Sequence, residues 1–301
     1  MRPAAAPASR RYRHVPMSLL DLTLLTLLGA LWGASYIFMR IAGPALGAVS
    51  LMAIRVIIAG GLLLAIAKSL GQTPDFRTRW RQFLLIGAIG NAIPFVLIGN
   101  ATIHLNASIA GVLNAAVPLF TTIVSALWLR EALGLRKILG AGLGIGGVSI
   151  LVGWSPLPVT PTTLLATGQA LLAALSYGLT AVYARKRFGD LTPLQAAAGQ
   201  VCGGAVLLAP LMLVAPPREA ATWPVVLSLL ALALPCTVLA YFIYFRLIAN
   251  TGPTKTSTVT FLIPLFGLLW AVLFLQEPVT LGLFAGLGVI LLSVWLVLAG
   301  C

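Results

Sequence analysis

The chain has 301 residues, 60% of them hydrophobic and only 8% charged, with a mean hydropathy of +1.04. Soluble domains carry about 25% charged residues, so there is too little charge here to cover a globule, and lipid is the solvent for most of the chain. A soluble enzyme, a coiled coil and a disordered regulator are excluded together. The net charge of +13, from 19 Lys+Arg against 6 Asp+Glu, falls singly or in short clusters between apolar runs. That is the bias of cytoplasmic loops, not a phosphate-binding surface, and no nucleic-acid partner is expected.

A helical span needs about 20 apolar residues. After a basic segment over 1–17 (Arg2, Arg10, Arg11, Arg13), spans are expected near 18–38, 46–67, 83–100, 106–128, 136–153, 164–184, 194–214, 225–245, 256–275 and 279–299. The first run is too long for the apolar core of a signal peptide, about 7–15 residues, and reads as a retained anchor. With these spans, sixteen of the nineteen Lys and Arg fall on one side of the membrane, Arg40 and Arg218 on the other, and Arg55 within the second span. The positive-inside rule then places both termini in the cytoplasm.

Pro118-Leu119-Phe120, followed by Glu131, Leu135 and Gly140, recurs 146 residues later as Pro264-Leu265-Phe266, Glu277, Leu281 and Gly286. Leu27-Leu28 with Leu171-Leu172, and Arg40 with Arg185, align more weakly at 144 and 145. Five spans separate the copies, so the copies lie in opposite orientations, the inverted-repeat arrangement of secondary transporters. The expected organisation is an all-α integral membrane protein with one transport domain, made of a first five-helix repeat (18–153), an outer linker (154–163) and a second repeat (164–299).

Trp32-Gly33 in the first span, Arg55 in the second, and Pro-x-Phe leading to an acidic residue and a glycine-rich helix resemble the drug/metabolite transporter (DMT) superfamily. The likeness is to its EamA-type members, and among them to the YddG-like amino-acid exporters. It covers 18–299 and implies ten helices in two inverted repeats that export small metabolites, amino acids foremost, across the bacterial inner membrane by alternating access. Drugs or organic cations are the alternative cargo. The second copy departs from the first in having Ser176-Tyr177 in place of Trp-Gly and Gln200 in place of Arg55.

Arg55 is the only ionisable side chain expected near mid-span. A charge at the bilayer centre costs about 2.5–3.5 kcal/mol on insertion scales, so Arg55 faces the bundle interior. There it either bonds helix-end carbonyls or docks a substrate carboxylate, whose geometry matches a guanidinium fork. Gln200, 145 residues on, is expected across the same central cavity. Asn91, Asn114, Ser176, Tyr177, Gln200, Thr237, Tyr241, Thr258 and Thr260 are polar at mid-span depth. They either hydrogen-bond between helices or line that cavity with Trp32, Tyr36 and Tyr244.

Pro118 and Pro264 each remove a helical hydrogen bond and form a symmetric pair suited to gating; Pro94 and Pro235 interrupt other spans. Glu131 and Glu277 at span ends either cap the helix that follows, where the dipole favours negative charge, or make a gate contact. Gly140, Gly142, Gly144, Gly146, Gly282 and Gly286 form small-xxx-small patterns suited to packing within the chain. All six acidic residues fall at span ends or in loops, which suggests a facilitator or an exporter driven by the substrate's own gradient. The chain lacks a G-x-x-x-x-G-K-[ST] loop. Cys202, Cys236 and Cys301, with His14 and His104, offer no disulfide framework or metal spacing. Gly153-Trp154-Ser155 has no histidine base near it. No cofactor, metal or enzymatic activity is expected; the partners are a small-molecule substrate and the bilayer, and a monomer suffices.

Overall fold

The computed structural model describes residues 18–129, 135–154, 158–251, 256 and 258–298, and among them all regular structure is helical. Helix α1, Leu19–Ser69, is 51 residues long and would reach about 77 Å if straight, more than twice the roughly 30 Å of a hydrocarbon core. It opens with a capping box in which the Ser18 hydroxyl accepts from the Asp21 N–H at 3.1 Å and the Asp21 carboxylate accepts from the Ser18 N–H at 3.2 Å. It breaks at Gly47, whose φ of 72° and ψ of 154° suit only a residue without Cβ. The spans expected at 18–38 and 46–67 are therefore joined by continuing helix and one aberrant residue, not by a loop. The segment before α7 docks on the break: the Arg218 and Glu219 N–H groups donate to the Ala45 carbonyl at 3.0 Å each, and Ser50 Oγ donates to that of Ala215 at 2.7 Å.

Helix α2, Phe76–His104, contains a π-helical turn at Ala88–Ala92; α3, Ala107–Trp128, is interrupted at Ala115 and Ala116. There follow α4 (Leu135–Gly153), α5 (Pro161–Arg187) and α6 (Pro193–Leu213). Helix α7 is built from Trp223–Ala233, a second π-helical stretch at Leu234–Leu239 and Ala240–Thr251; α8 (Val259–Leu275) and α9 (Leu281–Leu298) complete the set. Among the described residues six helices (α1, α2, α3, α5, α6 and α7) are long and apolar enough to cross a membrane, and shorter apolar helices accompany them. Capping side chains recur at the starts: Asp75 accepts from the Arg77 and Thr78 N–H groups, and Thr160 and Thr192 each precede a proline at the first helical position.

Lipid tails offer no hydrophobic drive for one helix to join another, so close backbone packing replaces it. A Cβ on Gly203 of α6 would lie 2.0 Å from the Phe83 carbonyl oxygen of α2, and one on Gly33 of α1 would lie 2.8 Å from the Gly267 nitrogen of α8. Helices α4 and α9 meet through Gly147 and Gly286, and Ser293 Oγ donates to the Gly140 carbonyl at 2.6 Å. Of the glycines expected to pack, Gly144, Gly282 and Gly286 do; Gly142 and Gly146 face open space.

Helix α2 joins the two ends of the molecule. At its start, Arg79 forms an ion pair with Asp190 in the α5–α6 turn, and Thr192 Oγ1 donates to Gln72 at 2.9 Å. At its finish, Arg40 donates to the Thr102 and Ile103 carbonyls at 2.9 and 2.5 Å, and the Asn100 amide donates to Gln169 of α5 at 2.8 Å.

Candidate functional site

A cavity of about 530 Å³ lies among α1, α2, α3, α5, α6, α7 and α8. It runs from Arg55 to the α5–α6 turn, where Phe188, Leu191 and Pro193 line it, beside the Arg79–Asp190 pair. That pair holds the Asp190 carboxyl below its usual range through the Arg79 hydrogen bond, and Asp75 is lowered likewise by the Thr78 hydroxyl and backbone N–H groups.

Arg55 is 5% exposed. Its Nε donates to Thr237 Oγ1 at 3.0 Å, and its guanidinium carbon stands 4.3 Å from the centroid of the Phe95 ring, a cation–π distance. Among the described residues the one ion pair is Arg79–Asp190, so no carboxylate described here neutralises Arg55. A guanidinium has five N–H donors, and the hydroxyl contact uses one. Bonding of helix-end carbonyls, one of the two roles expected for Arg55, is performed instead by Arg40. Aromatic side chains complete the wall: Trp32 lies 5.5 Å from Tyr244 and 6.5 Å from Tyr241 between ring centroids, and Phe95 6.5 Å from Tyr177. Tyr36 and Met39 add to the same lining.

The 146-residue spacing continues into this site. Asn91 and Thr237, Phe95 and Tyr241, and Asn114 and Thr260 stand at that interval, and the π turns at Ala88–Ala92 and Leu234–Leu239 start 146 residues apart. Arg55 of α1 reaches the π turn of α7 through Thr237; Gln200 of α6 reaches that of α2, its Nε2 donating to the Gly90 carbonyl at 3.4 Å. Arg55 and Gln200 both line the cavity, as do Trp32, Tyr36, Asn114, Tyr177, Tyr241 and Tyr244.

Three expected lining residues lie elsewhere. Asn91 is fully buried behind the wall, next to Tyr241. Ser176 is buried, with its Oγ donating to the Ile89 carbonyl at 2.6 Å in the α2 π turn. Thr258 is exposed at the start of α8, whereas Thr260, expected beside it, does line the wall. The paired prolines occupy unlike backbones: Pro118 is the second residue after α3 resumes, while Pro264 is buried within an unbroken α8. Glu277 does not cap α9, which follows it. Its carboxylate accepts from the Ala107 and Ser108 N–H groups at 2.7 and 3.1 Å and from Ser108 Oγ at 2.5 Å, capping α3. Glu131 lies outside the described residues. Phe95, against which Arg55 rests, was not expected in the site; an apolar residue in an apolar span carries no signal, although its spacing from Tyr241 would have pointed to it.

The model of the EamA-like transporter family matches residues 21–153 and again 164–299. The chain is 30% identical over 281 residues to the uncharacterized transporter YvbV of Bacillus subtilis, covering 91% of this chain and 90% of that protein. It is 30% identical over 251 residues to Protein PecM of Dickeya dadantii, covering 82% and 81%. A WAT1-related chloroplastic protein of Arabidopsis thaliana is 25% identical over 88% of this chain and 66% of its own length. A solved crystal structure of a protein superposes with a TM-score of 0.63 at 18% identity, covering 93% of this chain and 96% of that one, which shows a shared fold.

Proposed function

The chain belongs to the EamA-like transporter family, and within it we propose a secondary exporter of small carboxylate-bearing metabolites, amino acids foremost, across the bacterial inner membrane. The observation that carries this reading is Arg55, a buried cation in the cavity wall with no carboxylate partner among the described residues. A substrate carboxylate supplies the missing charge, and the aromatic wall suits an apolar or aromatic remainder. Organic cations fit less well, because no Asp or Glu among the described residues lines the cavity. The same absence favours movement down the substrate's own gradient over coupling to a proton carried on an intramembrane carboxylate.

Alternating access follows from ten spans in two inverted repeats with both termini cytoplasmic, a reading supported by the 16-to-2 charge split and the odd number of spans between copies. Pro118 and Pro264 are the proposed points of bending. Counterflow of radiolabelled amino acids into proteoliposomes, at equal pH on both sides, tests the function. Arg55→Gln should reduce transport of carboxylated substrates about 30-fold or more, the scale of an unpaired buried charge contact of roughly 2 kcal/mol. Arg55→Lys should weaken it less, keeping the charge but losing the fork. Equal loss for carboxylated and uncharged solutes, or strict dependence on an imposed proton gradient, would contradict this reading.

A further inference from the structure

The π turn of α7 carries a hydroxyl with two defined partners. Thr237 lies within Leu234–Leu239, and its Oγ1 stands 2.8 Å from the Leu232 carbonyl oxygen, five residues back, and 3.0 Å from Arg55 Nε. A carbonyl only accepts and a guanidinium N–H only donates. The single hydroxyl proton therefore goes to Leu232, and the oxygen receives Arg55. Thr237 is 1% exposed, so what it does for the cavity it does through Arg55 and not by touching a ligand.

The guanidinium is thus fixed on two sides. Phe95 covers it, with 4.3 Å between the guanidinium carbon and the ring centroid, and Thr237 takes the Nε edge. Among the described residues the terminal nitrogens meet only the Met52 sulfur, 3.9 Å from Nη1, a weak acceptor. Paired N–H groups of a guanidinium bind a carboxylate as a fork. With Nε taken, the pair left for that purpose is Nη1 and Nη2. A long side chain whose rotation is already arrested also loses less freedom when it binds.

We infer that Thr237 is the positioning residue of the Arg55 dock: its hydroxyl holds Nε, so that a substrate carboxylate is met end-on by the two Nη groups, and it thereby sets the preference for a carboxylate over a neutral group of the same shape. This rests on the reading of Arg55 as the carboxylate dock.

The probes are 3-phenylpropionate and 3-phenylpropionamide, alike in ring and chain and different in charge, competed against counterflow of radiolabelled phenylalanine in proteoliposomes. The unaltered protein should favour the acid by about 30-fold or more. Thr237→Val, which keeps the shape and removes the acceptor, should cut that preference by about 10-fold, the scale of one hydrogen bond to a charged group, and Thr237→Ser should restore it. Arg55→Lys and Thr237→Val should be non-additive, the double variant keeping the preference of the weaker single variant to within about 2-fold. Thr237→Ala decides the matter if the valine variant does not fold. An unchanged preference in Thr237→Val, a loss that serine does not restore, or full additivity with Arg55→Lys would overturn the inference while leaving Arg55 as a carboxylate dock. Failure of both hydroxyl-free variants to fold while Thr237→Ser folds would assign the hydroxyl to helix integrity and overturn it likewise. Equal handling of both probes by the unaltered protein, or no phenylalanine counterflow, would overturn both readings.

Discussion

The two ends of the molecule are held by different chemistry. At the end where α2 finishes, the Glu277 carboxylate takes three hydrogen bonds from the start of α3, Arg40 takes two carbonyls at the end of α2, and Asn100 joins α2 to α5. At the end where α2 begins, α2 and the α5–α6 turn are joined by the Arg79–Asp190 pair, by Gln72 with Thr192 and by the rings of Phe76, Phe83 and Phe188, packed 5.3 and 5.6 Å apart. Hydrogen bonds to charged groups contribute about 1.5–3 kcal/mol each, whereas exposed ion pairs contribute roughly 0–1 kcal/mol. The cavity reaches the end where α2 begins, at Phe188, Leu191 and Pro193. The Glu277 and Arg40 hydrogen bonds close the side away from the Arg- and Lys-rich loops, and under the proposed alternating access a change of access breaks them.

The largest effect is expected at Glu277. Glu277→Ala leaves two N–H groups and a hydroxyl without their acceptor and should lower stability by about 2–4 kcal/mol, read by thermal unfolding in detergent. Glu277→Gln, which keeps one oxygen acceptor, should lose less. A neutral result for the alanine variant would make the two ends equivalent. Arg40→Ala comes next, freeing the Thr102 and Ile103 carbonyls, with an expected loss of about 1–3 kcal/mol that Arg40→Lys recovers in part. A loss below the resolution of the melt would remove Arg40 from the closed set.

The smallest effect belongs to Arg79→Ala, whose melting temperature at pH 7 should match that of the unaltered protein and stay so in high salt. The sign of the pH response follows from the lowered Asp190 pKa. The contribution of the pair is complete above the ordinary value of 3.8 and disappears as pH falls through the depressed folded-state value. Between pH 5 and 8, then, it is flat. A midpoint near neutrality in the Arg79-dependent stability would contradict this.

None of the contacts behind this contrast joins residues near one another in sequence, whereas the spans and their polar positions were legible there. Apolar runs and the 146-residue spacing located Pro118, Pro264 and the polar positions, because each is a local property of one span. Contacts such as Glu277 with Ala107, 170 residues apart, leave no local trace, and the acidic residue was assigned to the helix nearest in sequence. The carbonyl-bonding role expected as one alternative for Arg55 falls to Arg40, for which no contact was expected, and only the packed structure shows which of the two reaches carbonyl ends. Thr258 and Thr260 were both expected at the wall and Thr260 alone is there: two residues along a helix turn the side chain by about 200°, so the two face opposite ways. The expected spans 18–38 and 46–67 left a gap over 39–45, yet helix continues through it and breaks only at Gly47, where the Arg218 and Glu219 N–H groups and the Ala215 carbonyl dock.

We propose that the Arg55 cavity is the route of transport, open toward the Arg- and Lys-rich end and sealed at the Glu277 end. Its most direct test is the reactivity of Ala196→Cys, a position in the cavity wall, toward a membrane-impermeant thiol reagent in a protein whose three native cysteines are replaced. Lys186→Cys and Trp154→Cys mark the two sides. Cysteine at 196 should react from the side on which the Lys186 marker reacts, be protected by bound phenylalanine, and become reactive from the Trp154 side when Glu277→Ala is added. Reaction from the Trp154 side in the unaltered background, or reaction indifferent to both substrate and Glu277, would contradict the account.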